Sequence, residues 1–124
     1  MAAPNIVNVT TIIGKTTYAA LTTTLTTVLL ANSAASGKVF KINSIMVANV
    51  DGTNAADVTV DINTAAAGSG TSYALASTIS VPADATLNLI DKNSSFYLEE
   101  DKSILGGASA NSDLEIVISY EEIN

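Results

Sequence analysis

The sequence predicts an all-β fold: an antiparallel β-sandwich or jelly roll of about eight or nine short strands in a single domain. Three observations carry that expectation. Apolar and polar residues alternate with period two in several separate runs. Clusters of Gly, Asn, Asp and Ser punctuate those runs at spacings of about ten residues. Thr, which fits a pleated surface, makes up much of the polar remainder.

The elements follow in order. "MAAPNIVNVTTII" (residues 1–13) is expected to be an N-terminal arm or first strand, extended by Pro4, ahead of a sandwich domain over residues 14–124. "YAALTTTLTTVLL" fits both a helical and a strand period. Its run of β-branched Thr favours strand. "NSAASGK" closes it. In "VFKINSIMVANV" the spacing puts Phe40, Ile42, Met46, Ala48 and Val50 on one face. Asp51-Gly52 is a strong turn dipeptide.

"ADVTVDIN" is the cleanest strand, with Ala56, Val58, Val60 and Ile62 inward. "TAAAGSGTS" is expected to be an exposed, flexible loop tip. In "SYALASTISV", Tyr73, Leu75, Ile79 and Val81 share a face, and Pro82 marks a strand boundary or a sheet edge. "ATLNLI" turns Leu87 and Leu89 inward. "SFYL" is a short strand, "SILGG" another. The last strand alternates Leu114, Ile116, Ile118 and Tyr120 with Glu115, Val117, Ser119 and Glu121. One buried and one solvated face marks antiparallel sheets.

Composition excludes several functions. Of 124 residues 48% are hydrophobic and only 14% charged, enough apolar material for a real core. There is no Cys, so neither a disulfide framework nor a thiolate metal site can form. The lack of His removes the usual general base and the commonest metal ligand. All five cations are lysines against twelve acids, a net charge of −7. That balance argues against a nucleic-acid partner. The opening has no basic start, so no secretory signal is expected, and "VLLA" (residues 28–31) is far too short to span a membrane.

Candidate sites are few. Glu99, Glu100 and Asp101 form an acid run between two apolar pieces. Asp51, Asn54 and Asp57 form a second oxygen-rich stretch. Both sets are weak calcium candidates, since hard oxygen ligands suit that ion, but the EF-hand spacing is absent. A hydrated turn accounts better for residues 99–101, and side-chain-to-backbone bonds for Asp51 and Asn54. Adjacent carboxylates in a turn point apart, so no catalytic pair is expected. The scattered Tyr18, Tyr73, Tyr97 and Tyr120, with no Trp, argue for packing rather than a sugar platform. A regular Thr array can bind an ordered surface, but a solvated strand face is the plainer account. "SGK" (residues 36–38) lacks the rest of a phosphate-loop pattern. No cofactor is expected.

The C-terminal half, "ISVPADATLNLIDKNSSFYLEEDKSILGGASANSDLEIVISYEEI", resembles a family of small tailed-phage virion proteins of the marine-phage type. "MAAPNIVNVTTIIGKT" at the start and "SGKVFKINSIMVANVDGTNAADVTVDI" in the middle carry the resemblance across nearly the whole chain; residues 22–27 do not align. It implies a non-enzymatic virion structural protein made in the host cytoplasm, foremost a capsid decoration or cement protein. It implies a partner in the major capsid protein or another virion protein. The low charged fraction, which leaves much uncharged surface, separately predicts a homo-oligomer, with a trimer favoured by jelly-roll analogy alone. The resemblance names no site residues; the acid turn in "YLEED" looks architectural. A neck, collar, tail or fibre-associated protein is the alternative. A secreted adhesin or carbohydrate-binding module is weaker, lacking an export signal and surface aromatics.

Overall fold

The computed structural model describes residues 4–124. They form nine strands: β1 (Ile12–Ala20), β2 (Thr27–Asn32), β3 (Val39–Asn49), β4 (Ala56–Asn63), β5 (Ser72–Val81), β6 (Thr86–Ile90), β7 (Phe96–Leu98), β8 (Lys102–Ala108) and β9 (Leu114–Ile123). One sheet runs β1-β9-β3-β6, with β7 also paired to β3; the other runs β2-β8-β4-β5. Every pairing is antiparallel.

The order has a simple origin. β6 and β7 act as one interrupted strand against β3, so the pairs β1·β9, β2·β8, β3·β6/β7 and β4·β5 nest inside one another. A long antiparallel hairpin wrapped over itself yields this set of pairs, which is the jelly roll. Of the two architectures expected, this is the one adopted.

The core lies between the sheets. Ile42, Ile45, Val47, Val58, Val60, Ile104, Leu114, Ile116 and Ile118 are all at most 1% exposed. Each such aliphatic contributes about 1.5–3 kcal/mol by leaving water. Tyr120 tilts against Phe40 with ring centroids 5.2 Å apart. The alternation expected for β9 is realised over Leu114–Ile116–Ile118–Tyr120, and that for β4 over Ala56, Val58 and Val60; at the end of β4 Ile62 is only half-buried and Asn63, expected on the other face, is buried.

Five expectations need correction. Of the four tyrosines expected to serve packing only Tyr120 is buried, while Tyr18, Tyr73 and Tyr97 are exposed. The pairing of β3 with β9 slips between Ile42 and Ser44. This bulge at Asn43 reverses the inward parity, so Ile45 and Val47 enter the core while Met46 and Val50 face outward. On β5 irregular pairing around Ala76 and a left-handed Thr78 (φ 49°) break the alternation, leaving Tyr73 and Ile79 exposed. The Thr-rich run is not one strand. Residues 21–26 leave the first sheet and cross to the second. Buried Leu21 bonds through its backbone to Leu114, and the Thr22 carbonyl accepts from Ala108 N–H. Residues 64–71 are not a free tip either. Ser103 Oγ donates to the Ala65 carbonyl at 2.7 Å, and the backbone at Gly68 (φ 80°) lies against Leu105 and Val28. The loop thus folds over the outer face of the second sheet.

Candidate functional site

The two oxygen-rich stretches lie at opposite ends of the sandwich. Asp51 follows β3, and its Oδ1 accepts from the backbone N–H of Thr53 and Asn54. Those bonds, Thr53 first, hold its carboxyl below the usual range. This is the turn role expected for Asp51; the Asn54 side chain, expected to bond backbone, donates to the Asp51 carboxylate instead. Asp57, at the start of β4, exchanges bonds with Ser109 through its backbone.

The acid run sits between β7 and β8 and is tied down. Glu100 accepts from Gly37 N–H at 3.3 Å, Asp101 Oδ1 from Ala66 N–H at 3.2 Å, and Asp101 N–H donates to the Asn32 carbonyl. Asp101 has φ 58°, a conformation that Asp tolerates better than most residues. The run therefore links three separate turns. Among the described residues no three acids gather closely enough to hold a metal.

Three buried asparagines went unforeseen. Asn32, Asn49 and Asn63 end β2, β3 and β4, each at most 3% exposed. Asn49 Nδ2 donates to the carbonyls of Asn54 and Val81, and its Oδ1 accepts from Asp51 N–H. Asn63 Nδ2 donates to Gly70 O and Ser72 Oγ, while its Oδ1 accepts from Ala65 and Gly70. Asn32 Nδ2 bonds Lys38 O and Leu98 O. Each amide locks a strand end to its loops. The signal in sequence was an Asn closing an alternating run just before a turn: "LLANSA", "MVANVD", "VDINTA".

Charges also pair where sequence could not show it. Glu122, only 8% exposed, accepts from Lys38 Nζ at 2.7 Å and Lys15 Nζ at 3.0 Å. The bond from Lys38, then that from Lys15, lowers its pKa, and Glu122 in turn raises that of Lys15. Burial alone pushes the Asp61 carboxyl up, on the outer face of β4 opposite Leu105.

The remaining candidate is a surface. On the outer face of the first sheet, Tyr18 stands opposite Val117, Val117 opposite Met46, and Met46 opposite Asn88. Tyr18 is 77% exposed and Met46 40%. This row crosses four strands, about 14 Å at ordinary strand spacing. Glu115 and Ser119 flank it on β9, with Glu121 one position further along the same face. Adjoining it at Met46, at the break between β6 and β7, Lys41, Asn88, Asp91 and Lys92 help line an open hollow of about 530 Å³. A smaller apolar groove of about 340 Å³ lies between Pro4, Ile6, Val39 and Tyr97, rimmed by Glu99 and Glu100. Thus Pro4 and Ile6 wall a groove, and Thr11 extends the β1·β9 ladder through Asn124. β1 begins at Ile12, just before the boundary expected at residue 14; Met1 to Ala3, the start of the expected arm, lie outside the described residues.

No family model matches the chain, and no curated protein does. Among solved structures it is similar to one described as "Bacillus endospore appendages form a novel family of disulfide-linked pili", with TM-score 0.53 and 16% identity, covering 91% of this chain and 88% of that one. At that identity the likeness concerns the fold.

Proposed function

We propose that this chain is a non-enzymatic structural subunit of a phage virion, a decoration protein that docks on the major capsid protein. The observation that carries the reading is the contiguous Tyr18–Val117–Met46 row on the outer face of the first sheet, flanked on β9 by Glu115 and Ser119. Single exposed apolar residues are ordinary; a row in register on a rigid sheet offers a preformed docking face. The jelly roll is a fold that viral capsid domains use. The sequence resemblance to tailed-phage virion proteins supports the same reading. A neck or tail position is the alternative within the particle.

A second reading is a subunit of a fibrous appendage. The likeness to a pilus protein over 91% of the chain favours it. With no Cys, this chain could not form the disulfide links named for those pili. Quantitative mass spectrometry of purified particles separates the readings. Hundreds of copies per particle support decoration. About a dozen copies support a neck position, and absence from particles favours the appendage.

A further inference from the structure

We infer that the free edge of β1 pairs antiparallel with the β1 edge of a second copy of this chain, about a two-fold axis through Thr16. The inference rests on the assembly reading above and names its partner.

Four edges flank the two sheets, and three are guarded. β2 is short and its pairing slips between Val28 and Leu30. β5 carries the irregularity around Ala76 and is followed at once by Pro82. The edge opposite β1 is broken between β6 and β7. Such devices keep edges from pairing with other chains. β1 has none of them. Its nine residues pair with β9 in unbroken register, contain no Pro, and carry one charge, Lys15, already bonded to Glu122.

The backbone pattern shows which groups point outward. Thr11 and Asn124 exchange two bonds, each donating to the other. In an antiparallel ladder such pairs alternate with pairs whose groups turn away. Odd-numbered residues of β1 therefore address β9. Ile12, Gly14, Thr16, Tyr18 and Ala20 point their N–H and C=O groups to the free side, and among the described residues none of these groups is bonded outside the strand ladder.

Self-pairing about Thr16 satisfies all of them. It sets Thr16 opposite Thr16, Gly14 opposite Tyr18 and Ile12 opposite Ala20, five bonded pairs over the whole strand. The Tyr18 ring then covers Gly14, above which nothing lies within 4 Å. A large residue meets a small one at each outer pair. Centring on Lys15 would instead oppose two like charges, and centring on Thr17 shortens the ladder. The contact is a strip ~30 Å long that buries roughly 900 Å² in total, near the lower limit for specific association. A strip of that size fits a weak, reversible pair. The product is one continuous sheet that presents two Tyr18–Val117–Met46 rows on a single face.

The test uses the intact chain, which has no native Cys. Thr16→Cys should be joined to its counterpart by a short bis-maleimide, because the opposed Cα atoms lie ~5.5 Å apart while the β-carbons of a bonded pair stand too wide for a ready disulfide. Ala20→Cys, on the same edge but eight residues off register from its counterpart, should stay uncrosslinked. Sedimentation equilibrium of the unaltered chain should show a dimer by about 100 μM. A monomer or trimer there, or Ala20→Cys crosslinking as fast as Thr16→Cys, overturns the pairing. Full occupancy on particles by a chain that is monomeric in solution overturns this pairing while leaving the decoration reading intact. A Thr16-centred dimer that no particle contains supports the pairing and removes the decoration reading.

Discussion

Lys38 donates to Glu122 across 2.7 Å, tying the turn before β3 to the last strand. Lys15 reaches the same carboxylate from β1, so one buried acid joins three parts of the fold. The lowered Glu122 pKa sets the sign of its pH dependence. Its contribution is present above the ordinary Glu range and is lost as pH falls through the lowered value. Thermal melts between pH 7 and pH 3 should show that acid-side loss. Glu122→Gln should melt lower at pH 7 and lose part of the slope. Identical pH profiles for the two proteins would refute this role.

Asn63 is saturated by four partners, so its replacement should be costly. Asn63→Asp sets a carboxylate oxygen against the Gly70 carbonyl, where an N–H donor now lies at 3.2 Å. The expected loss is about 2 kcal/mol or more. Asn49→Ala, which orphans the Val81 carbonyl and Asp51 N–H, should lose about as much. Urea midpoints measure both. A change within the noise of surface substitutions would mean that the amides do not hold the strand ends.

Two glycines should answer oppositely. A Cβ on Gly107 would sit 2.7 Å from Thr24 O and 2.8 Å from Leu25 Cα, both backbone atoms. Gly107→Ala must lift residues 21–26 off the second sheet, at about 1–3 kcal/mol. Gly14 has open space, so Gly14→Ala should be neutral or stabilising in the isolated chain. Equal effects at both sites would contradict the placement of residues 21–26.

The acid turn should tolerate neutralisation. Glu99→Gln, Glu100→Gln and Asp101→Asn together keep every acceptor oxygen toward Gly37 and Ala66. Stability should change by less than about 0.5 kcal/mol. EDTA should leave the melting temperature of the unaltered protein where it was. An EDTA-induced drop that the triple variant lacks would place a metal there.

Strand locations were legible because most runs obey period two over much of their length, as in Ala56–Val60 of β4 and Leu114–Tyr120 of β9. What was not legible comes from breaks in that period. The bulge at Asn43 leaves the composition of β3 unchanged but exchanges Met46 for Ile45 in the core. Thr24 and Leu25 look like strand, yet they cross between sheets because Gly107, distant in sequence, has no side chain to block them. The Glu122 pairings join residues 84 and 107 apart, which no local pattern encodes. The docking row is illegible for the same reason: Tyr18, Met46 and Val117 become neighbours only through register.

The most direct measurement of the decoration reading is cryo-electron microscopy of the virion, with the jelly-roll density fitted and its inward face identified. The account predicts hundreds of copies on the outer capsid lattice, with the first sheet's outer face, carrying Tyr18, Val117 and Met46, against the major capsid protein. Density confined to the portal vertex or tail, or lattice density with that face turned to solvent, would contradict it.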